Sequence, residues 1–313
     1  MSISKTTFEG LNAVEVMTDS LRLVAVTDFG PRIAFLGKPN GTNVFLWEPG
    51  KRKRKDWDLR GGHRVWVTRP GADECEDTYA TDNDPCDVQV MDNGFRVVGA
   101  ENKVNATRRG IEVTMRDDCT LDVDNFVVNT GSLLYSGGVW ALTCTIPTDD
   151  CRYCVPVGDG TAWDNFTMVH FREWAGQGQG GFNDDQFVVG SDLVTLVPRG
   201  IENKKMLQSH TGIVAFSDAI NDVTFAKKVG YDRARPYPLN TNIALYVGPD
   251  NFMVEMETMG PETTLKPGDE LHHIETWRFV DGARALDDAA SVTQLFSDLK
   301  RTNRSSPEMQ ENV

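Results

Sequence analysis

Short apolar runs separated by polar turns cover most of the chain. Runs such as AVEVM, LRLVAV, RIAFLG and HRVWVT alternate with breaks that contain Gly30-Pro31, Pro39-Asn40-Gly41 and Asp92-Asn93-Gly94. An Asn-Gly pair between two apolar runs is a strong hairpin signal. Short, closely spaced strands without helical periodicity predict a sandwich or a barrel rather than alternating strands and helices. We therefore predict an all-β fold, built as one large β-sandwich.

The end of the chain has a different pattern. Residues 283–302, ARALDDAASVTQLFSDLKRT, place Ala289, Val292 and Leu295 at near-helical spacing, which predicts one short C-terminal helix. Residues 303–313 have few apolar side chains to bury, and we expect this tail to be disordered. Because no linker rich in Pro, Gly or Ser divides the chain, we predict a single domain over residues 1–302.

The formal net charge of the chain is −14, from 32 Lys and Arg against 46 Asp and Glu. This balance argues against general nucleic-acid binding, because phosphate backbones require clustered Lys and Arg. The exception is a basic run over residues 51–55, which fits either a solvated loop or a surface that attracts an acidic sugar or another polyanion. No apolar run is long enough to span a membrane, and the start of the chain lacks the pattern of a secretory signal, so we expect a cytoplasmic protein.

The segment FMVEMETM carries two carboxylates on one face of a predicted strand. Because side chains alternate along a strand, Met253, Glu255 and Glu257 share one face, and Val254 and Met256 share the other. A carboxylate face in apolar surroundings is costly to bury unless it meets water, a cation or a ligand. The strand therefore either lies over solvent or lines a site.

A second predicted strand, LHHIETWRF, follows a Pro-Gly turn. Its alternation places His273, Glu275 and Trp277 on one face. Aromatic, histidine and carboxylate side chains together are typical of a sugar-binding wall, although a half-exposed sheet gives the same composition.

Two glycines precede a titratable ring and a permanent cation in the segment Gly61-Gly62-His63-Arg64. Glycine permits the close approach of a backbone or a ligand, and Arg64 offers a fork of hydrogen-bond donors. Trp66 and Tyr79 can stack on the face of a sugar ring. An equally strong interpretation makes the glycines a bulge, Arg64 an ion-pair partner and Trp66 a core residue.

The chain resembles the galactose-mutarotase-like superfamily of β-supersandwich domains. Within that superfamily it is similar to a bacterial group that carries a GGHR-x-W segment followed by a tyrosine and an Asp-Asn pair. The likeness covers roughly residues 8–280. The residues that carry it are Gly61, Gly62, His63, Arg64, Trp66, Tyr79, Asp82 and Asn83. The resemblance implies a two-sheet sandwich, a sugar ligand and no cofactor.

Aldose 1-epimerases of this superfamily carry a Leu-Glu-Thr-Gln segment before a Pro-Gly turn, and the glutamate of that segment is the general base. Residues 256–259, with the turn at Pro267-Gly268, are similar. This likeness nominates Glu257 as the base and Glu255 as the second candidate. In that mechanism the base takes the proton of the anomeric hydroxyl while a histidine protonates the ring oxygen.

The acid histidine of that mechanism has no counterpart here. The family places it in a segment that corresponds to residues 129–143, where this chain has Trp140 and no histidine. His63 is our first candidate to replace it, because two glycines and Arg64 surround it, and His170 is the second. The predicted substrate-binding residues are Arg64, Trp66, Tyr79, Asp82, Asn83, Glu255 and His273.

Three functions are compatible with these residues. The first is an enzyme of aldose 1-epimerase type, and the second is a carbohydrate-binding protein without catalysis, which the missing histidine favours. The third is a lyase that abstracts a proton beside a uronate carboxylate, with Tyr79 and Arg64 in the site. None of these functions requires a metal, although Glu74, Asp82 and Asp84 can hold calcium. In each case the expected partner is a mono- or oligosaccharide.

Overall fold

The computed structural model describes residues 1–69, 82–158, 166–170 and 180–299 of the chain. Within these residues, two antiparallel sheets pack face to face. The first sheet contains β1 (Ser2–Phe8), β2 (Leu11–Met17), β3 (Arg22–Val26), β4 (Arg32–Gly37), β7 (Gly62–Thr68), β12 (Tyr135–Thr145), β14 (Met168–His170), β17 (Asn203–Leu207), β20 (Ile243–Val247), β21 (Val254–Met259) and β22 (Thr263–Leu265). The second sheet contains β8 (Asp87–Met91), β9 (Gly94–Val98), β10 (Thr107–Met115), β11 (Thr120–Asn129), β13 (Cys151–Pro156), β15 (Phe187–Val189), β16 (Leu193–Leu196), β18 (Ile213–Asp218), β19 (Val223–Val229) and β23 (Glu270–Asp281). A separate short hairpin is formed by β5 (Lys53–Arg54) and β6 (Trp57–Asp58).

The order of the strands brings distant parts of the chain together. In the first sheet the order is β1-β2-β3-β4-β7-β12-β21-β20-β17-β14, and β22 pairs with the first residues of β12. In the second sheet the order is β15-β16-β13-β18-β19-β23-β11-β10-β9-β8. The glycine-rich segment of β7 and the carboxylate strand β21 therefore flank the same central strand, β12.

The main core lies between the two sheets. Val65 and Met256 of the first sheet pack into one cluster with Val123, Phe225 and Trp277 of the second. These side chains are at most 3% exposed. Because side chains alternate along a strand, the neighbours of Val65 and Met256 point to the other face of the first sheet. We call the face toward the second sheet the inner face and the opposite one the outer face.

The hairpin predicted at Asp92-Asn93-Gly94 is present, and the two predicted carboxylate strands lie in different sheets. The Asp-Asn-Gly segment forms the predicted hairpin, in which Met91 pairs with Gly94 between β8 and β9. The strands β21 and β23 lie before and after the Pro-Gly turn, with β22 between them, and they do not pair with each other. β21 lies in the first sheet and β23 in the second, so that Thr258 and His273 meet across the core, with 2.7 Å between Oγ1 and Nε2.

The predicted C-terminal helix is present and shorter than the pattern indicates. It spans Ala289–Gln294 and begins at Asp288, whose carboxylate accepts a hydrogen bond from the backbone N–H of Ser291. Before it, Leu286 is buried against the second sheet with Val292. The prediction was too long because the apolar residues on either side pack on the sheet from turns and extended chain. No helix among the described residues is long and apolar enough to cross a membrane.

Candidate functional site

Charged side chains are concentrated on the outer face, at the centre of the first sheet. In the strand register Arg64 lies opposite Leu142, and Leu142 lies opposite Glu257. Glu255 is two residues before Glu257 and shares its face. The structure thus brings together Arg64, Glu255 and Glu257, three of the residues that the sequence analysis selected.

Arg64 and Glu255 form a buried ion pair. Nη2 of Arg64 donates to Oε1 of Glu255 at 2.8 Å, and Nη1 donates to Sγ of Cys144 at 3.1 Å. Burial acts to lower the pKa of Arg64, but the charge of Glu255 raises it above its ordinary value. Burial raises the pKa of Cys144 to about 12, so the thiol stays protonated. Arg64 is therefore a fixed cation whose guanidinium is held by protein groups.

Glu257 is fully buried, and its two carboxylate oxygens have different surroundings. Oε2 accepts a hydrogen bond from Nε1 of Trp140 at 2.8 Å and lies 3.0 Å from Nζ of Lys204. Within the described part of the chain, Oε1 has no hydrogen-bond partner. Burial raises the pKa of Glu257 to about 7, with Lys204 acting to lower it and Glu255 to raise it. A carboxylate that titrates near neutrality is suited to accept and return a proton.

Aromatic rings surround these charges. The rings of Trp66 and Trp140 meet edge to face at 5.6 Å between centroids, and Trp57 lies 5.7 Å from Trp66. Cζ of Arg64 lies 4.3 Å from the Trp66 centroid, and Nζ of Lys204 lies 4.4 Å from that of Trp140. Charges held against indole rings and out of water interact more strongly than on the surface.

Apolar residues pack over this outer face. Trp57 lies on the second strand of the short hairpin, and Leu59 follows that strand. Both pack into the cluster that contains Cys144 and Tyr246. The hydroxyl of Tyr246 donates to Oε1 of Glu202 at 2.8 Å, and burial raises the pKa of this tyrosine. The site is consequently enclosed in this structure.

Comparisons with known proteins concern the fold. No protein-family model and no curated protein matches the sequence. A TPR-domain containing protein from Parabacteroides distasonis has a TM-score of 0.60 and 16% identity over 96% of this chain, which spans 51% of that protein. A galactose mutarotase-like protein from Lactobacillus casei has a TM-score of 0.59 and 11% identity over 86% of this chain and 100% of its own. A galactose mutarotase related enzyme from Lactobacillus acidophilus has a TM-score of 0.54 and 12% identity over 87% and 100%.

The chain has a galactose mutarotase-like fold. At these identities the likeness describes the two-sheet architecture, and what the site does is argued from its own residues.

In this galactose mutarotase-like sandwich, His63 points away from Glu257. It precedes Arg64 on β7 and therefore faces inward, where it is fully buried. Its Nδ1 lies 2.8 Å from Oγ1 of Thr143, and its Nε2 lies 2.8 Å from Oδ1 of Asn125. Burial lowers the pKa of His63 to about 4. The structure does not bring His63 and Glu257 together.

His63 belongs to a polar network between the sheets. At its centre Nζ of Lys227 lies 2.7 Å from Oε1 of Glu275, and the same ammonium donates to the carbonyl of Met256 at 2.9 Å. Burial acts to raise the pKa of Glu275, but Lys227 and His63 lower it to about 2. His273 joins through Thr258, and burial lowers the pKa of this histidine to about 4. His273 thus points from β23 of the second sheet into the space between the sheets, behind β21.

The other predicted histidine also lies away from Glu257. His170 is opposite Lys205 in the β14–β17 register and is on the face opposite to Val169, which packs with Trp66 and Trp140 on the outer face. The hydrogen-bond and ion-pair partners of Glu257 among the described residues are Trp140 and Lys204, and neither is a histidine.

Asp82 and Asn83 hold the glycine-rich segment in place. Asp82 accepts hydrogen bonds from Nη2 of Arg32 at 2.5 Å and from Nη1 of Arg60 at 2.7 Å. Oδ1 of Asn83 accepts from Nη2 of Arg60 at 2.5 Å. Nη1 of Arg32 also donates to the carbonyl of Gly61 at 2.7 Å. This ion cluster lies at one end of β7, while Tyr79 and Glu74 lie outside the described residues.

The two glycines permit close backbone packing. Gly61 has φ +88° and Gly62 has φ +70°, and a Cβ on them would lie 2.1 Å from the carbonyl oxygen of Leu46 and 2.3 Å from that of Ile33. The sequence analysis predicted the close approach of a backbone or a ligand at these glycines. In the structure, the backbone of Leu46 and of Ile33 makes that approach.

The sequence analysis did not select Lys204. It mentioned Trp140 only because this residue lies in the segment where the family has its acid histidine. A signal for Lys204 was available. In the strand Asn203–Leu207, NKKML, two adjacent lysines must point to opposite faces of a buried strand. Each of them then needs an anion, a ring or a ligand in its surroundings.

Proposed function

We propose that this chain acts on sugars as an enzyme of aldose 1-epimerase type, with Glu257 as the general base. The observation that carries the proposal is the state of Glu257. It is a buried carboxylate with a pKa of about 7, and its Oε1 has no hydrogen-bond partner among the residues that the structure describes. The hydroxyl of a bound sugar would supply that partner. The segment Gly61-Gly62-His63-Arg64 also supports the assignment of this chain to the bacterial GGHR-x-W group.

The proposed reaction needs one base and one acid. Glu257 takes the proton of the anomeric hydroxyl, the electron pair left on that oxygen forms a carbonyl, and the bond between the anomeric carbon and the ring oxygen breaks. Lys204 gives a proton to the departing ring oxygen, because it is the cation nearest to Glu257. Rotation about the bond next to the carbonyl, followed by the reverse proton transfers, closes the ring to the other anomer.

Lys204 replaces the histidine that the resemblance implied. His63 and His170 are on the opposite side of the first sheet, whereas Nζ of Lys204 is 3.0 Å from Glu257. Trp66 and Trp140 offer indole surfaces for a sugar ring, and Arg64 with Glu255 offers a fixed polar edge. A sugar reaches Glu257 when Trp57 and Leu59, which pack over this face, give way.

The test is anomer exchange measured by NMR with D-glucose and D-galactose, on the wild type and on Glu257→Gln. We expect the wild type to accelerate exchange between α and β anomers, and Glu257→Gln to lose the acceleration while saturation-transfer signals of the sugar persist. Glu270→Gln, on the second sheet, is the matched control. An exchange rate that is the same in Glu257→Gln and in the wild type would remove Glu257 from the mechanism.

A carbohydrate-binding protein without catalysis is the second candidate. Among the described residues the partners of Glu257 are Trp140 and Lys204, and the lack of a histidine there favours it. In that case sugars give saturation-transfer signals, Trp140→Phe weakens them, and no sugar exchanges faster than in buffer. The lyase has no such support, because the guanidinium of Arg64 is held by Glu255 and Cys144.

A further inference from the structure

A lysine of the second sheet reaches the strand that carries Glu257. The inner face of β19 is otherwise apolar, and Lys227 points from it into the core. Its side chain is fully buried, and its Nζ donates to the backbone carbonyl of Met256 at 2.9 Å and to Oγ1 of Thr143 at 3.1 Å. Met256 directly precedes Glu257 on β21. The ammonium therefore holds the backbone at the residue before Glu257.

The anion partner of Lys227 holds the residue after Glu257. Nζ of Lys227 lies 2.7 Å from Oε1 of Glu275, on β23. The same oxygen accepts a hydrogen bond from Oγ1 of Thr258 at 2.7 Å. Thr258 directly follows Glu257 and faces the second sheet. One ion pair of the second sheet is thus bound to both chain neighbours of Glu257.

Other groups of the second sheet fix the carboxylate of Glu275. Its Oε2 accepts a hydrogen bond from Nε1 of Trp277 at 2.8 Å and another from Nδ2 of Asn125 at 3.2 Å. All three residues are fully buried. A buried polar network in which the groups are hydrogen-bonded keeps a single geometry. The ion pair is therefore a fixed part of the second sheet, against which β21 is held.

A further polar link between β21 and the second sheet is uncharged. Oγ1 of Thr145 donates to the carbonyl of Val254 at 2.9 Å and lies 2.8 Å from the hydroxyl oxygen of Tyr153, on β13. Val254 is the first residue of β21. The uncharged link thus lies at the start of the strand, and the charged link lies at Glu257.

Stability by itself does not explain an ion pair at this place. Replacement of a buried ion pair by apolar side chains of similar volume is often neutral or stabilising, because the desolvation of two charges offsets their attraction. A group that transfers a proton, in contrast, has to be held within about 0.5 Å of its working position. The pair meets that need, because it binds the residues on both sides of Glu257.

We propose that Lys227 and Glu275 are positioning residues for Glu257. They hold the backbone of β21 on both sides of this carboxylate, and the ammonium of Lys227 stabilises its ionised form from the inner side. This role deepens the proposed function and rests on it, because Glu257 is the general base there. Both residues lie on the inner side of the sheet and act through Glu257.

The charges that act on Glu257 come from both sides of the first sheet. They belong to Lys204, Arg64 and Glu255 on the outer side and to Lys227 and Glu275 on the inner side. His63 and His273 in the inner network are neutral near pH 7, because burial lowers the pKa of each to about 4. Burial lowers the pKa of Lys227, and the charges of Glu275 and then of Glu257 act to raise it. Because the attraction of two charges is mutual, Lys227 in turn favours the ionised form of Glu257.

The experiment follows the titration of Glu257 while the ion pair is changed. The ¹³C carboxyl resonance of Glu257, assigned by its loss in Glu257→Gln, is recorded against pH in the wild type, Lys227→Met and Glu275→Gln. Lys227→Met removes a cation and leaves an anion, so Glu257 should titrate at a higher pH than in the wild type. Glu275→Gln leaves the cation without its anion, so Glu257 should titrate at a lower pH. Lys228→Met, at the exposed lysine next to Lys227, is the matched control and should change nothing.

Opposite shifts distinguish positioning from a loss of structure. A loosened sandwich admits water to Glu257, and water moves its pKa down toward the ordinary value in both variants alike. Tyr153→Phe breaks the uncharged link and controls for this effect. It should lower the midpoint of urea unfolding without a shift in the titration of Glu257. Shifts of the same sign in Lys227→Met and Glu275→Gln, or no shift in either, would overturn the proposal.

A variant without a change of charge tests the hold on the backbone. Thr258→Val removes the hydroxyl that donates to Glu275. The indole N–H of Trp140 donates to Glu257 at 2.8 Å and reports the position of that carboxylate. We expect its ¹H–¹⁵N resonance, assigned by its loss in Trp140→Phe, to shift in Thr258→Val and to stay in place in Tyr153→Phe. An unchanged resonance in Thr258→Val would contradict the proposal, and this readout decides it if Lys227→Met does not fold.

The positioning role and the proposed function fail separately. Both NMR readouts are recorded without a sugar, so a wild type that does not accelerate anomer exchange removes the sugar chemistry and leaves the hold on Glu257 measurable. Conversely, accelerated anomer exchange together with shifts of the same sign in Lys227→Met and Glu275→Gln would overturn the positioning role alone.

Discussion

Nζ of Lys204 lies 3.0 Å from Oε2 of Glu257, and both side chains are at most 2% exposed. Such a pair has given up its water, so its energy depends on the geometry of the partners. The indole of Trp140 completes that geometry, because it donates to the same oxygen and lies against the ammonium. Burial raises the pKa of Glu257, and this pair limits the rise.

Lys204→Met should raise the pKa of Glu257 further. Lys204 is the strongest influence that acts against burial at this carboxylate, through its charge and its hydrogen bond. The carboxyl resonance of Glu257 in ¹³C NMR, assigned by its loss in Glu257→Gln, should titrate at a higher pH in Lys204→Met than in the wild type. Lys228→Met should leave it unchanged. If the two titration curves coincide, Lys204 does not tune Glu257.

Lys227→Met should be strongly destabilising. It leaves Glu275 charged and without its ammonium in the interior, and breaking a buried pair on one side costs about 3–5 kcal/mol. The double variant Lys227→Met/Glu275→Gln should recover part of that loss, because no unpaired charge is left. Urea unfolding of the wild type and the two variants measures both values. A double variant that is less stable than Lys227→Met would show that the charge is not the cause.

The buried histidines should make the protein sensitive to acid. Burial lowers the pKa of His63 and of His273 from 6.5 to about 4. The unfolded chain therefore binds protons between pH 6.5 and 4 that the folded chain does not. The stabilisation is fully present above pH 6.5 and is lost as the pH falls toward 4, by up to about 3 kcal/mol for each ring.

His273→Gln tests that pH dependence. A glutamine amide can keep a hydrogen bond to Thr258 but does not titrate. The melting temperature of His273→Gln should fall less between pH 6.5 and 4 than that of the wild type. His272→Gln is the control, because Asp124 raises the pKa of His272. Loss of the His272 ring should therefore not reduce the fall in melting temperature between pH 6.5 and 4. Parallel melting curves for His273→Gln and the wild type would contradict the assignment.

Gly62→Ala should destabilise the protein more than Gly268→Ala. Both positions have positive φ, which costs a residue with a side chain about 1–2 kcal/mol. At Gly62 a Cβ would also lie 2.3 Å from the carbonyl oxygen of Ile33, whereas at Gly268 no atom lies within 4 Å. The difference between the unfolding free energies of the two variants, measured in a denaturant, gives the free-energy cost of the close approach. Equal losses would show that backbone conformation alone requires glycine at position 62.

The strand pattern was sufficient to predict the class of fold. Short apolar runs separated by polar turns predicted the sandwich, and Asp-Asn-Gly predicted the hairpin between β8 and β9. Alternation also placed Glu255 and Glu257 on one face. Alternation has a further consequence, which the prediction of the site residues did not take into account. His63 and Arg64 are neighbours on a strand, so they cannot both face Glu257.

The sequence by itself determined the strands, the face of each side chain and the carboxylates that would be costly to bury, because these depend on local geometry and on composition. Only the tertiary structure decided which strands are neighbours. It placed Lys204 beside Glu257 and His63 in a network with Glu275. Such contacts join residues that are far apart in the chain, and their partners are selected by the packing of the two sheets.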